Sequence, residues 1–191
     1  MPAAVAERER GIRADAEADA ETAAGDRRTG NPPAILLLTG MPGAGKSTVA
    51  RILARRFARG VHLDIDLVLH HFVVSGFDQD DPAQIDLALR NAGTLAANFF
   101  DAGFAVVAEG AIPDRHSINT LRKAAARPIR VVILAPPLEV SEQRDRERGG
   151  KQVAQHFAHL HPIMRDELRD EGTWIDTTRL TPAQTADEIL S

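Results

Sequence analysis

Residues 34–53 read AILLLTGMPGAGKSTVARIL. The opening AILLLT is a continuous apolar run, which suits a strand covered on both faces of a parallel sheet. From Ser47 onward the apolar residues fall at helical spacing, which predicts a helix to about Arg59. Between them, Gly40-Met41-Pro42-Gly43-Ala44-Gly45-Lys46-Ser47 satisfies G-x-x-x-x-G-K-[ST] at every position. Glycines let the backbone wrap tightly enough for successive N–H groups to point at one anion. The helix that starts near Lys46 adds its positive end. The Lys46 ammonium is placed to reach the β- and γ-phosphates, the Ser47 hydroxyl to ligate Mg²⁺, and Thr48 to hold the α-phosphate. Strand, glycine loop and helix in this order are the context the motif requires, so Gly40 to Thr48 is expected to bind ATP and Mg²⁺.

Composition narrows what surrounds this cradle. The 191 residues suffice for one well-buried domain and are too few for two ordinary ones. No apolar run approaches the ~18 residues a membrane span needs, and the charged start MPAAVAERERG is not that of a signal peptide. Cysteine is absent, which removes disulfides, thiolate metal sites and a cysteine nucleophile. These features lead us to expect a cytoplasmic protein. The net charge of -4 speaks against a nucleic-acid partner, which would want a basic face. Only 3 of the 23 basic residues are Lys, and one of them is Lys46.

Residues 1–31 hold almost no large apolar side chains and read as a mobile tail, closed by Pro32-Pro33. Residues 32–191 read as one domain. VHLDID (61–66), FAVVAEG (104–110), IRVVILA (129–135) and GTWIDT (172–177) are predicted strands, separated by helical patterns. The acidic loop around Asp78–Asp81 is expected to cap a helix at Pro82, and Thr181-Pro182 to open the last one. Strands alternating with helices imply an α/β, three-layer fold: a five-stranded parallel sheet with helices on both faces. Ligands then sit at the strand C-termini.

A guanine-reading NKxD sequence is absent, and strand three ends Val107-Ala108-Glu109 with one acid instead of the pair a ring-forming ATPase carries. Strand two ends Asp64-Ile65-Asp66, and an Arg-rich helix follows strand four. On these residues the chain resembles the small P-loop kinases: the shikimate, gluconate and chloramphenicol kinases and the nucleoside monophosphate kinases. The resemblance covers roughly residues 34–190 and also implies an AAA-type ATP-binding domain. HLDIDLVLH (62–70) is similar to the Asp-Ser-Asp stretch of shikimate kinases, and Ile65-Asp66 to the Val-Asp of chloramphenicol phosphotransferases, whose Asp is the base. EGAIPDR (109–115) resembles the DGFPR of nucleoside monophosphate kinases, with two extra residues and Glu for Asp.

The resemblance implies a Mg²⁺- and ATP-dependent kinase acting on a hydroxyl of a small molecule. In a strand, residues 64 and 66 share a face, so both carboxylates can enter one cleft. Asp66 is then the candidate base, with Asp64, Glu109 and Ser47 around the metal. The competing reading makes Asp66 a helix cap and Asp64 a solvated acid. A lid is expected over about residues 144–157, hinged at Gly149-Gly150, with Arg144 and Arg148 on one helix face closing over the phosphates. Those arginines fit equally well on an ordinary solvated helix face. His156, His159 and His161 read as surface or lid histidines, Thr177–Leu180 as the loop lining the base, and Trp174 as core. The acceptor region is expected at residues 66–100, with His70, His71, Phe72, Phe77 and Arg90. Likeness to the chloramphenicol and tunicamycin-resistance groups makes an antibiotic one candidate acceptor, and a sugar acid or nucleoside another. A nucleotide acceptor would want several arginines here, where Arg90 stands alone. A switch protein that hydrolyses ATP slowly and acts through a protein partner is the alternative. The sequence leaves the oligomeric state open.

Overall fold

The computed structural model describes residues 34–78, 81–147 and 153–191. The tail over residues 1–31, the Pro32-Pro33 boundary, Arg148 and the Gly149-Gly150 hinge fall outside the described residues. The described residues form five strands and seven helices, in chain order β1 (Ile35–Gly40), α1 (Lys46–Arg56), β2 (Gly60–Asp64), α2 (Ile65–His70), α3 (Pro82–Asp101) and β3 (Ala105–Glu109). After them come α4 (Arg115–Ala125), β4 (Ile129–Leu134), α5 (Leu138–Glu147), α6 (Leu160–Glu167), β5 (Thr173–Ile175) and α7 (Pro182–Leu190). The sheet order is β2-β3-β1-β4-β5, with every pair parallel. The expected five-stranded parallel architecture is therefore present.

β1 and β3 are buried at every position, which explains why their sequences are apolar runs without alternation. Leu36 and Leu38 face α1 and α7, packing with Leu53, Ala186 and Ile189. Leu37 faces the opposite way, onto Leu89 of α3 and Ile118 and Leu121 of α4. Each such fully buried side chain contributes about 1.5–3 kcal/mol of transfer free energy, and the two layers together hold the central strand rigid.

Caps set where the helices begin. Asp81 Oδ1 accepts from Ala83 N at 2.9 Å and Pro82 follows at the first helical position, as the acidic loop implied. Thr181 and Gln184 form a reciprocal capping box at α7. The decisive cap is at β2. Asp64 Oδ1 accepts from Leu67 N at 3.2 Å, so the strand ends at Asp64 and the helix begins at Ile65. Extending the strand to residue 66 is thus corrected: Asp66 lies in the first turn of α2, and the two carboxylates do not share a strand face. α1 ends at Arg56, three residues short of expectation, because Phe57 turns extended and packs into the core.

Candidate active site

The glycine loop leaves the C-terminal end of central β1. Gly43 has φ 85°, and a Cβ there would lie 2.1 Å from the carbonyl oxygen of Ser141 in α5. A Cβ on Gly40 would lie 2.4 Å from the Leu134 oxygen of β4. Only glycine lets the loop sit this close to both neighbours. Lys46 is 8% exposed, and its Nζ donates to Gly40 O at 2.9 Å and Met41 O at 3.2 Å. Pro42 to Thr48 line a cavity of about 1100 Å³, while Gly40 and Met41 lie beneath it and Met41 packs into the core.

The sheet order spreads the cavity wall. α2 follows edge strand β2 at one end, and the loop after β5 closes the other. Asp66, Leu69 and His70 of α2 line the first end, with Phe77, Ile85 and Asp86. Ala111 to Asp114 join them from the loop after β3. That loop is tied to β1 by Thr39 Oγ1, which donates to Ile112 O at 2.9 Å and accepts from Ile112 N at 3.0 Å. Thr177, Leu180 and Arg144 line the opposite end, so the loop expected to line the base does reach the cavity.

The candidate base Asp66 and the two carboxylates expected around the metal, Asp64 and Glu109, stand in different surroundings. Burial pushes Asp66 above the ordinary carboxylate range, reinforced by Glu109 and Asp64 and opposed by the Lys46 charge. Burial also pushes Glu109 up, but the polar side chains of His62 and Ser47 and the Lys46 charge outweigh it. The net direction is down. Glu109 is 2% exposed, and His62 Nε2 stands 3.4 Å from its Oε1. A buried acid kept ionised beside Ser47 and Lys46 suits a divalent cation, so the residues fit Mg²⁺. Asp64 spends an oxygen on the α2 cap and does not line the cavity.

Arg144 lines the cavity from α5. Its Nη1 donates to Thr177 Oγ1 at 3.1 Å, and its Nη2 to Thr177 O at 2.8 Å and Thr178 O at 3.4 Å. It therefore clamps the loop after β5. Arg115 lies outside the cavity, paired with Glu171 at 3.4 Å beside the 2.8 Å pair of Arg122 with the same carboxylate. Past α5 the chain is pinned by buried Asp145, whose Oδ2 accepts from Val153 N at 2.7 Å and Ala154 N at 2.8 Å.

Several liners escaped the sequence reading. His156, Phe157 and His159 reach the cavity, and so do Asp86 and His116, bound to each other at 3.1 Å. No local motif marks them. Among the residues expected at the acceptor, His70 and Phe77 line the cavity, whereas His71, Phe72 and Arg90 do not. Among the described residues no group of three His, Cys, Asp or Glu could hold a metal, and His161 lies off the cavity. Trp174 is partly buried against the core, with Nε1 donating to Leu168 O at 3.1 Å.

A glycine cradle following the central strand of a 2-3-1-4-5 parallel sheet and lining a cavity at the strand C-termini defines a P-loop nucleotide-binding protein. Residues 35–167 match the AAA domain family, and the chain belongs to it. A relative, the adenylyl-sulfate kinase of Shewanella baltica (strain OS185), is 37% identical over 131 residues, 65% of this chain and 62% of that protein. The chain thus spans less than two thirds of that relative's length. Among solved structures, a sugar kinase from Janibacter sp. HTCC2649 superposes with a TM-score of 0.69 at 20% identity, covering 83% of this chain and 93% of that one. At that identity it shows the fold. The Deinococcus radiodurans tunicamycin resistance protein gives 0.60 at 25% identity, covering 82% and 93%. Among the described residues no helix is long and apolar enough to cross a membrane.

Proposed function

We propose that this chain is a Mg²⁺- and ATP-dependent phosphotransferase acting on a hydroxyl group of a small molecule. One observation carries the reading: Asp66 opens into the same cavity as the cradle, at the end away from the loop after β5. A carboxylate there can orient an attacking hydroxyl and accept its proton. Bound Mg·ATP supplies the transferable phosphoryl group. Lys46 and the loop N–H groups would hold the phosphates, and Ser47 and Glu109 the metal, while Asp64 organises α2. Arg144 closes the nucleotide end, and Arg148 of the lid remains a candidate for the phosphates. A switch protein has no use for an acceptor pocket. Dependence on ATP makes the cytoplasm the working compartment. The name of the Shewanella relative supports a nucleotide acceptor, and that of the Deinococcus protein an antibiotic.

The test is ADP release with Mg·ATP, alone and with a panel of hydroxyl acceptors, comparing the wild type with Lys46→Ala and Asp66→Asn. The reading stands if an acceptor raises turnover, Lys46→Ala abolishes nucleotide binding, and Asp66→Asn abolishes the stimulation while ATP still binds. Slow turnover that ignores every acceptor and survives Asp66→Asn would sink it.

A further inference from the structure

Among the described residues, the acceptor end of the cavity carries more carboxylates than permanent cations. Asp66, Asp86 and Asp114 all line it. Among the described lining residues the permanently charged cations are Lys46 and Arg144. Lys46 donates to the loop carbonyls beneath the cradle, and Arg144 clamps Thr177 at the far end. Arg115 and Arg122 are drawn off the cavity by Glu171.

The carboxylates are not equivalent. Asp114 spends both oxygens capping α4, accepting from Ser117 N at 2.8 Å and Ser117 Oγ at 2.9 Å. Asp66 is the proposed base. Asp86, in the second turn of α3, accepts on Oδ1 from His116 at 3.1 Å and Thr120 at 3.4 Å. No described donor reaches its Oδ2, and its side chain is 35% exposed at the cavity wall. His116 holds the carboxylate in place through one oxygen while the other faces solvent or ligand. An anionic acceptor brought here would meet like charges beside the apolar Leu69, Phe77 and Ile85, where the imidazoles of His70 and His116 are the described basic groups and no described arginine stands.

We infer that the acceptor is an alcohol bearing a protonated amine, with Asp86 as the residue that selects it. The inference rests on the phosphotransferase reading and narrows it. A protonated amine gives Oδ2 of Asp86 a charge-assisted hydrogen bond, while the apolar wall covers the carbon skeleton. The reaction stays the one proposed: a hydroxyl oxygen bonds the γ-phosphorus, the bond to the ADP oxygen breaks, and the hydroxyl proton goes to Asp66. The amine does not react.

The experiment uses the full chain with Mg·ATP and matched acceptor sets at pH 8, above the ordinary titration range of imidazole. Each set holds an amino alcohol or amino sugar, its uncharged parent, its N-acetyl derivative and a carboxylate counterpart; glucosamine, glucose, N-acetylglucosamine and glucuronate form one. The amine-bearing members are expected to stimulate most, with N-acetylation lowering kcat/KM about tenfold or more, chiefly through KM. Asp86→Asn lowers kcat/KM for the amine roughly 10- to 100-fold, the range for a lost hydrogen bond to a charged group. It moves the N-acetyl compound less than about twofold, and Asp86→Glu recovers part of the loss. A merely structural role for Asp86 would shift both compounds alike, and that result overturns the inference. So does preference for a carboxylate or uncharged acceptor; if such turnover still needs Asp66, the phosphotransferase reading stands and the inference alone falls. If no member of any set stimulates although ATP binds through Lys46, both fall together.

Discussion

Replacing Arg144 by Ala removes three hydrogen bonds from a guanidinium to one loop, two at 2.8 and 3.1 Å and a weaker one at 3.4 Å. Hydrogen bonds to a charged group contribute about 1.5–3 kcal/mol apiece. Arg144 is only half-buried, so solvent screens them, and a total of roughly 1.5–3 kcal/mol is reasonable. The loop they hold also bonds the cradle, since Thr177 Oγ1 donates to Ala44 O at 3.4 Å. Loosening it should therefore be read in nucleotide affinity. We expect Arg144→Ala to raise the Kd for Mg·AMP-PNP roughly 10- to 150-fold, while kcat at saturating ATP changes less than about threefold. Arg144→Lys keeps the charge but loses the planar fork, and falls between. Calorimetric titration gives the Kd and ADP release gives kcat. The opposite pattern, unchanged Kd with kcat down about 10³-fold, is that of an arginine on the transferring phosphoryl group. It would show that Arg144 leaves Thr177 in the working enzyme and would refute the clamp.

Asp66→Asn is expected to lower kcat at least about 10²-fold and, in the nucleotide-free protein, to raise Tm at pH 7.5. Burial lifts the folded-state pKa of Asp66, so its stability contribution is full below the unfolded value and lost as pH rises through the folded one; calorimetry at pH 7.5 and pH 4 should show the gain at the higher pH only. Gly43→Ala places a Cβ 2.1 Å from Ser141 O at φ 85°. It should cost about 1–3 kcal/mol from backbone strain alone and abolish nucleotide binding, and an unchanged denaturation midpoint would contradict the packing described. Glu171→Gln leaves Arg115 and Arg122 without their shared carboxylate. Because both arginines are about 35–45% exposed, the loss should be about 1–2 kcal/mol in urea denaturation with kcat intact; a collapse of kcat at unchanged stability would place Arg115 on the substrate.

The element order and the caps at Pro82 and Thr181 were legible because each depends on a few neighbouring residues. The same locality misled at Asp64-Ile65-Asp66. Alternation along a strand and the first turn of a helix both fit that tripeptide, and the bond from Leu67 N to Asp64 decides between them. The result divides the two acids, with Asp64 a cap and Asp66 a wall of the cavity. Arg115 shows what only a remote partner decides. It closes the EGAIPDR stretch, whose two extra residues already set it apart from DGFPR, and Glu171, remote in the chain, holds it off the cavity. His156 and His159 look like any charged-helix residues until the fold carries them to the cavity.

By itself the sequence determined the cradle, because phosphate is held by backbone N–H groups whose directions follow from glycine spacing and the start of one helix. Tertiary structure alone decided the acceptor pocket. Its walls come from α2, α3, the loop after β3 and the segment before α6, which meet only because the sheet runs β2-β3-β1-β4-β5. Its charge is decided in the same way, by which arginines distant carboxylates remove from the cavity and which carboxylate oxygens the caps leave over.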